Sequence, residues 1–395
     1  MKKLVTIDDT WKIMKELRSN YYFKRETEEV SVRDAVCREL AEDIIAKKDV
    51  PAYDMATMDG FAVKFGRREY RIVGEIYSGD MEDYEIAEDE CFYVSTGSKI
   101  PKNADTVVKV EIAKIKDGKI EIEEEVERGK YVLRAGSEAK KGELILKKGT
   151  KLNPQEIAVI SSLGYEKIKV YKKLRVGIFS NGDEIKKGII PDSNSAMISA
   201  FLKKWGCEVE FLGVVGDNKE EVERMIEYGT ENFDVVMTSG GISLGKKDYV
   251  IQVLGEIGDI LINQVKQRPG KPLTVAIVND KPVFALPGKP AGAFIALLSI
   301  RIFFIGEKPY PKVKAKLAST VRIPSDGFSY FLFVKLEDGF AVPVSYKGYI
   351  LSTTFSEGYE PSIIASMPRS TLSDGFVIAE RDLMEGEEVE VNLYD

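Results

Sequence analysis

The spacing of apolar positions divides the chain into stretches of different period. Residues 8–18 and 31–46 read as helices. In the second, Ser31-Val32-Arg33-Asp34 has the form of a capping box, and Val32, Ala35, Val36 and Leu40 fall on one face. From about 50 to 127 the pattern changes to short strands and turns, punctuated by Val50-Pro51 and Gly79-Asp80, and residues 119–127 alternate before an acidic run. Residues 129–149 read as a loop-rich β segment with glycines at 129, 136, 142 and 149. Asn153-Pro154 then opens a helix that stops at Gly164, with an N-cap, a proline at the first helical position and a glycine past the end.

Residues 172–305 alternate cleanly. A strand at 175–179 leads to a helix at 193–204, a strand at 208–215, a helix at 218–229 and a strand at 234–238. A helix near 248–256, strands near 273–286 and a helix at 290–304 follow. This order predicts a mostly parallel sheet covered on both faces. Glu307-Lys308-Pro309-Tyr310-Pro311 reads as a linker, and 312–395 as a small β domain with strands near 314–322, 329–336, 376–380 and 388–393. The fold class is therefore α/β plus β, in a multidomain chain.

The turns of the α/β stretch carry the candidate chemistry. Val235, Val236, Met237 and Thr238 run into Ser239-Gly240-Gly241, then Ser243, Gly245 and Asp248. Glycines allow positive φ and close approach of a ligand to backbone N–H groups, and a strand ending in such a turn before a helix can form an anion site. Three related loops accompany it: Phe179-Ser180-Asn181-Gly182-Asp183-Glu184, Arg268-Pro269-Gly270-Lys271-Pro272 and Leu286-Pro287-Gly288-Lys289-Pro290. Ligands of such sheets bind beyond the carboxyl ends of the strands, where these loops lie. Together they suggest a site for a phosphorylated ligand, with carboxylates placed for a metal.

Composition narrows the chemistry. The chain has no histidine, which excludes Ser-His-Asp and Cys-His catalysis and every His-ligated metal, while Asp and Glu remain as hard oxygen ligands for Mg²⁺. Its net charge of −7 argues against general nucleic-acid binding, so an anionic ligand needs local cations or a metal ion. Cys37, Cys91 and Cys207 are far apart, which fits a reducing cytoplasm better than a disulfide framework or a zinc site. No uncharged apolar run is long enough to predict a membrane span.

An ordered series of motifs gives the chain a resemblance. Asp49-Val50-Pro51 precedes Ala56-Thr57-Met58-Asp59-Gly60-Phe61-Ala62; Thr96-Gly97-Ser98, Pro101, Ala104-Asp105-Thr106-Val107-Val108 and Glu111 follow. Then come Arg134, Gly136-Ser137-Glu138, the Ser180–Glu184 loop, Asp192-Ser193-Asn194-Ser195, the Ser-Gly-Gly loop ending at Asp248, and the two Pro-Gly-Lys loops. From about residue 30 to 305, and more faintly to the C-terminus, this resembles the molybdopterin molybdenumtransferases of the MoeA type, which include the E domain of gephyrin. The resemblance implies four regions: 1–49 with 128–171 as an elongated helical/β dimerisation region, 50–127 as a β-rich domain, 172–306 as the molybdopterin-binding α/β domain and 312–395 as a C-terminal β domain. It implies a homodimer whose site lies between the α/β domain of one subunit and the Met58-Asp59-Gly60 region of the other. The implied reaction takes adenylylated molybdopterin and molybdate or tungstate, transfers the metal to the dithiolene sulfurs and releases AMP with the help of Mg²⁺. A molybdopterin adenylyltransferase is the implied delivery partner.

Candidate roles follow, each beside a plainer reading. Glu184 is the leading metal ligand or phosphate-side acid, although it and Asp183 could simply cap a helix. Asp248 and Asp217 are further metal candidates, and each could instead be the N-cap of the helix after it. Ser180, Asn181, Gly182, Asp183, Ser239, Gly240, Gly241 and Ser243 form the candidate cradle. Arg268 and Lys271 flank a Pro-Gly turn, as a solvated basic loop or as an anion site. Pro287 and Pro290 stiffen the loop wall around Lys289. The resemblance assigns Asp59, with Thr96 near it, to the partner's site, and adds Glu138.

The chain departs from the family at several positions: Glu138 replaces Asp, Arg268 often Lys, and Lys289 the usual Asn. The family's arginine is absent near Phe331-Leu332-Phe333, and Lys347-Gly348-Tyr349 is the nearest counterpart of its glutamine-glycine-serine segment. Arg369 and Ser370 are the candidates to stand in. Two other functions fit the same motifs: adenylylation of molybdopterin by ATP, which the N-terminal residues and the Met-Asp-Gly motif disfavour, and a non-catalytic binding or scaffold paralogue.

Overall fold

The computed structural model describes residues 4–242, 248–306, 310–345, 348–349 and 373–394, with the side chains of 345, 348 and 349 left aside. Ser243, Gly245, Lys347, Arg369, Ser370 and Glu307–Pro309 of the linker lie outside the described residues. The chain forms two compact units, Met1–Glu26 with Lys172–Asp395, and Thr27–Tyr171.

In the first unit a six-stranded sheet runs in the order Glu208–Val215, Arg175–Asn181, Val235–Ser239, Lys281–Leu286, Thr274–Val278, Asp259–Ile262. Its first four strands are parallel and the last two join antiparallel as a hairpin edge, so the sheet is parallel where its loops converge. The central strand residues Val235, Val236, Met237 and Phe284 have no exposed surface, which is why these strands read as continuous apolar runs instead of alternating ones. Helices Ser193–Lys204, Lys219–Asn232, Tyr249–Ile257 and Pro290–Ile305 fall within a few residues of expectation.

The helix Pro290–Ile305 is apolar on every side because it is enclosed on every side. The N-terminal helix Ile7–Tyr21 packs along it, with Arg18 donating to the carbonyls of Phe303 and Phe304 at 2.7 and 2.9 Å. Phe294 stacks on Phe333 of the C-terminal sheet, ring centroids 5.9 Å apart. In that sheet Ser329–Glu337 pairs with both Gly375–Ala379 and Phe340–Ser345, which gives it a barrel-like closure. The short strand Gln267–Arg268 pairs in parallel with Ser329–Tyr330, so a loop of the α/β region is tied to the C-terminal sheet.

The Thr27–Tyr171 unit is mainly β. A six-stranded sheet runs Thr106–Lys109, Gly60–Val63, Glu90–Val94, Glu69–Ile76, Lys119–Ile122, Ala113–Lys116. The helix after Asn153-Pro154 is present at Pro154–Ser162, with a full capping box. The helix expected over 31–46 is not formed. Only Val32–Asp34 makes a helical turn, Cys37 takes a φ of 63°, and the backbone donors go elsewhere: Cys37 to Leu152, Leu40 to Thr150 and Ala41 to Lys169. Long-range pairing has overridden the local pattern. No helix among the described residues is long and apolar enough to cross a membrane.

Candidate active site

Beyond the carboxyl ends of the parallel strands lies a cavity of about 890 Å³. Three strand ends supply its loops, after Asn181, after Ser239 and after Leu286. The fourth wall is the Arg268–Pro272 turn, whose Arg268-Pro269 peptide is cis.

Glycine is required at the Ser-Gly-Gly turn. Gly240 and Gly241 have φ of 95° and 67°, and a Cβ on either would overlap Asn181, at its backbone carbonyl or at its side-chain oxygen. The Gly240 N–H is spent on Leu286 O at 3.0 Å and the Gly182 N–H on Val215 O at 3.1 Å, so these two amides brace the turns and are not open to an anion. Asn181 is buried and donates to Gly216 O at 2.8 Å.

Beneath the cavity a second layer fixes the loops. Asn194 donates to Ser239 Oγ at 2.7 Å and to Gly288 O at 2.8 Å, joining the Ser-Gly-Gly turn to the Leu286–Pro290 loop. Ser180 does not line the cavity: its hydroxyl donates to Asp192 at 2.6 Å, as does that of Ser195. Such buried bonds contribute about 1 kcal/mol each, and leaving a partner unsatisfied costs about 1–3 kcal/mol.

The carboxylates around the cavity differ in their surroundings. Asp183 accepts from the Asp217 N–H at 3.1 Å and from Lys187 at 2.8 Å and is not in the cavity wall. Glu184 is exposed and lines the cavity, and its carboxylate has no hydrogen-bond or ion-pair partner among the described residues. Asp217 and Asp248 line the same cavity. Asn218, not Asp217, caps Lys219–Asn232, whereas Asp248 does occupy the N-cap position of Tyr249–Ile257, without a side-chain capping bond. Among the described residues no three Asp, Glu or Cys side chains converge as a ready metal cage. Glu184, Asp217 and Asp248 are the carboxylates of the wall, and an ion such as Mg²⁺ commonly takes only one or two carboxylates and completes its shell with substrate phosphates and water.

Cations occupy other walls. Lys289 is exposed at the N-cap of Pro290–Ile305, and no ion pair among the described residues offsets its charge. A cation at the positive end of a helix dipole is unfavourable until an anion joins it. Arg268 pairs with Asp326 at 3.3 Å and lies 4.7 Å from the Phe328 ring, and Lys271 lies 5.6 Å from the same ring. Tyr330, also in the wall, donates to Asp326 at 3.1 Å, and burial raises its pKa above the ordinary tyrosine value. Pro287 and Gly288 complete this side, and Pro290 sits at the first helical position.

Asp59, Thr96 and Glu138 belong to the Thr27–Tyr171 unit. There Asp59 Oδ1 accepts from the Thr96 N–H at 2.6 Å and from its hydroxyl at 2.9 Å. The Thr96 amide first, and its hydroxyl second, hold the Asp59 carboxyl below its ordinary pKa. Glu138 is exposed, on a turn whose Glu138 N–H donates to Val50 O at 3.0 Å.

Sequence reasoning did not assign site roles to Asn194, Gln267, Tyr330, Ile185, Ile190 or Pro324, the last four of which line the cavity. Asn194 belongs to the Asp192–Ser195 motif, and a polar residue on the buried side of a helix is its signal. Tyr330 gave none, because its place depends on a strand pairing across more than sixty positions.

Comparison with known proteins places this cavity in context. Residues 5–164 match the family described as the MoeA N-terminal region (domain I and II), and residues 177–304 match a probable molybdopterin binding domain. A putative molybdopterin biosynthesis protein of Methanocaldococcus jannaschii is 34% identical over 383 residues, 91% of this chain and 94% of that protein. A molybdopterin molybdenumtransferase of Haemophilus influenzae is 31% identical over 290 residues, 70% of this chain and 72% of that one. A crystal structure of the molybdopterin biosynthesis MoeA protein from Pyrococcus horikoshii superposes with a TM-score of 0.73 and 30% identity, covering 100% of both chains. A second, from Pyrococcus horikoshii OT3, gives 0.75 and 26% over 99% of this chain and 100% of that one.

Proposed function

The chain belongs to the MoeA family of molybdopterin molybdenumtransferases, transferases of molybdenum cofactor biosynthesis, and we propose that its cavity inserts molybdate or tungstate into adenylylated molybdopterin with release of AMP. One observation carries this reading: Glu184, Asp217 and Asp248 share a single cavity with Arg268, Lys271 and Lys289, at the strand ends where pterin phosphates would lie.

Two bond changes must occur. Water adds to phosphorus of the pyrophosphate link and AMP leaves. The metal of the oxyanion bonds to the two dithiolene sulfurs, whose protons depart with a displaced oxygen as water. Arg268, Lys271 and Lys289 hold anionic oxygens, with Arg268 offering a fork and the lysines point charges. Glu184, whose carboxylate is uncommitted, is placed to orient the attacking water and take its proton. Mg²⁺ held by Glu184, Asp217 or Asp248 would neutralise and polarise the phosphate oxygens. Ser239, Gly240 and Gly241 shape the floor against which the phosphates rest.

We further infer a homodimer in which Asp59 and Thr96 of one subunit, with Glu138, serve the cavity of the other. The substrate is itself an adenylylated pterin, so an adenylyltransferase must supply it and is the expected partner. Cys37, Cys91 and Cys207 are free thiols, which suits a cytoplasmic location.

The test is AMP release from purified protein, Mg²⁺ and adenylylated molybdopterin, with molybdate, tungstate or neither. Oxyanion-dependent release is expected, and the better oxyanion identifies the metal. Pterin binding without any release would leave a binding or scaffold protein instead.

A further inference from the structure

The Arg268–Lys271 turn is held from below by one buried amide. Gln267 has no exposed surface. Ser299 of the helix Pro290–Ile305 donates to Gln267 Oε1 at 2.7 Å, and Gln267 Nε2 donates to the carbonyl of Gly270 at 2.9 Å. Ser299 Oγ also lies 2.8 Å from Ile295 O, so the helix can satisfy that hydroxyl by itself. A buried amide is costly unless bonded, and an aliphatic side chain would fill the same space without that cost. What the amide adds is a link between two elements that each carry a cavity cation.

The backbone around the link has little slack. A Cβ on Gly270 would stand 2.9 Å from Gly292 O and 3.0 Å from Gln267 Nε2, and one on Gly292 would stand 3.2 Å from Pro287. Gly292 lies in the first turn of the helix whose N-cap is Lys289. One helix therefore registers both Pro-Gly-Lys turns, through Ser299 and Gln267 on one side and through Gly292 on the other.

We propose that Gln267 is a positioning residue for oxyanion binding: by holding the Gly270 carbonyl it sets Arg268 and Lys271 at the distance from Lys289 that a tetrahedral oxyanion requires. This rests on the transferase reading of the cavity. Gln267 itself touches no substrate. Its effect falls on the oxyanion and not on the pterin, whose phosphates meet the Ser-Gly-Gly side.

The test compares the full-length protein with Gln267→Leu and Ser299→Ala, at a temperature well below all three unfolding midpoints. Tungstate and molybdate binding is measured by calorimetry, AMP release gives KM and kcat, and pterin affinity is measured without oxyanion. Gln267→Leu is expected to weaken oxyanion binding and raise its KM about five- to tenfold, the loss of one buried hydrogen bond, with kcat at saturation and pterin affinity within about twofold. Ser299→Ala should move the same quantities less, because the Gln267–Gly270 bond survives. Oxyanion affinity unchanged in Gln267→Leu would overturn the proposal and leave the transferase reading intact. So would a parallel loss of oxyanion and pterin affinity, the mark of a merely structural role. A wild-type protein that binds neither oxyanion would overturn the transferase reading and this assignment together.

Discussion

The two candidate carboxylates Asp59 and Glu184 are treated in opposite ways. Asp59, on the Met58–Gly60 turn of the Thr27–Tyr171 unit, is bonded twice by Thr96 and held as an anion below its ordinary pKa. Glu184, on the cavity wall of the other unit, is exposed and uncommitted among the described residues. A carboxylate already held by fixed donors, as Asp59 is at Oδ1, is a largely fixed charge, suited to positioning or repelling a ligand. An uncommitted one can take up a proton, a cation or a water. The same contrast separates Asp183 from Glu184, adjacent in sequence: Asp183 spends its oxygens on the Asp217 N–H and Lys187, and the Glu184 carboxylate has no such partner among the described residues.

The largest expected effect breaks the floor on which Glu184 depends. Gly241→Ala places a methyl against the Asn181 side-chain oxygen at a φ of 67°, which the turn cannot accommodate without moving. We expect loss of AMP release and a destabilisation of about 1–3 kcal/mol, read by denaturant titration. The equivalent change at Gly79, where φ is positive but no atom lies within 4 Å of the added Cβ, should leave turnover intact. Full activity in Gly241→Ala would mean that the turn is not part of the site.

Much of this floor is legible in the sequence, and the reasons it is or is not are local. The parallel strands are readable because both faces of Val235–Ser239 are buried, leaving an apolar run bounded by glycines. The helices after them are readable to within a few residues, although the cap of Lys219–Asn232 is Asn218 and not Asp217. The loops announce themselves because only glycine tolerates their backbone. The segment 31–46 is misleading because its amphipathic spacing serves pairing with Thr150, Leu152 and Lys169, more than a hundred positions away. Gln267 is hidden for the same reason: its value lies in Ser299 and Gly270 at once, and no spacing rule marks such a triad.

A middle-sized effect tests whether the two carboxylates meet across subunits. Asp59→Asn and Glu184→Gln are each expected to keep the fold and to lower turnover by about 10²-fold or more. If the cavity of one subunit is completed by Asp59 of its partner, a heterodimer of the two variants has one intact site and one doubly altered site. Random mixing should then restore about a quarter of wild-type activity, since half the dimers are mixed and each has one working site. Heterodimers that form and stay inactive would confine both residues to the same subunit's chemistry, and unchanged turnover in Asp59→Asn itself would remove Asp59 from it.

The smallest effect probes how the fixed charge is fixed. Thr96→Val deletes the hydroxyl bond to Asp59 and leaves the shorter amide bond in place, so the Asp59 pKa should rise part of the way toward the usual aspartate value near 4 and stay below it. The sign of the stability effect follows from the direction of the shift. Because the folded-state pKa is depressed, the bonds contribute stability above the unfolded-state pKa, and that contribution is lost as pH falls through the folded value. The gap in unfolding midpoint between wild type and Thr96→Val should therefore be greatest near neutrality and close at strongly acidic pH. A gap that is constant across the acid range would show that Thr96 acts on the turn through packing and not through the Asp59 charge.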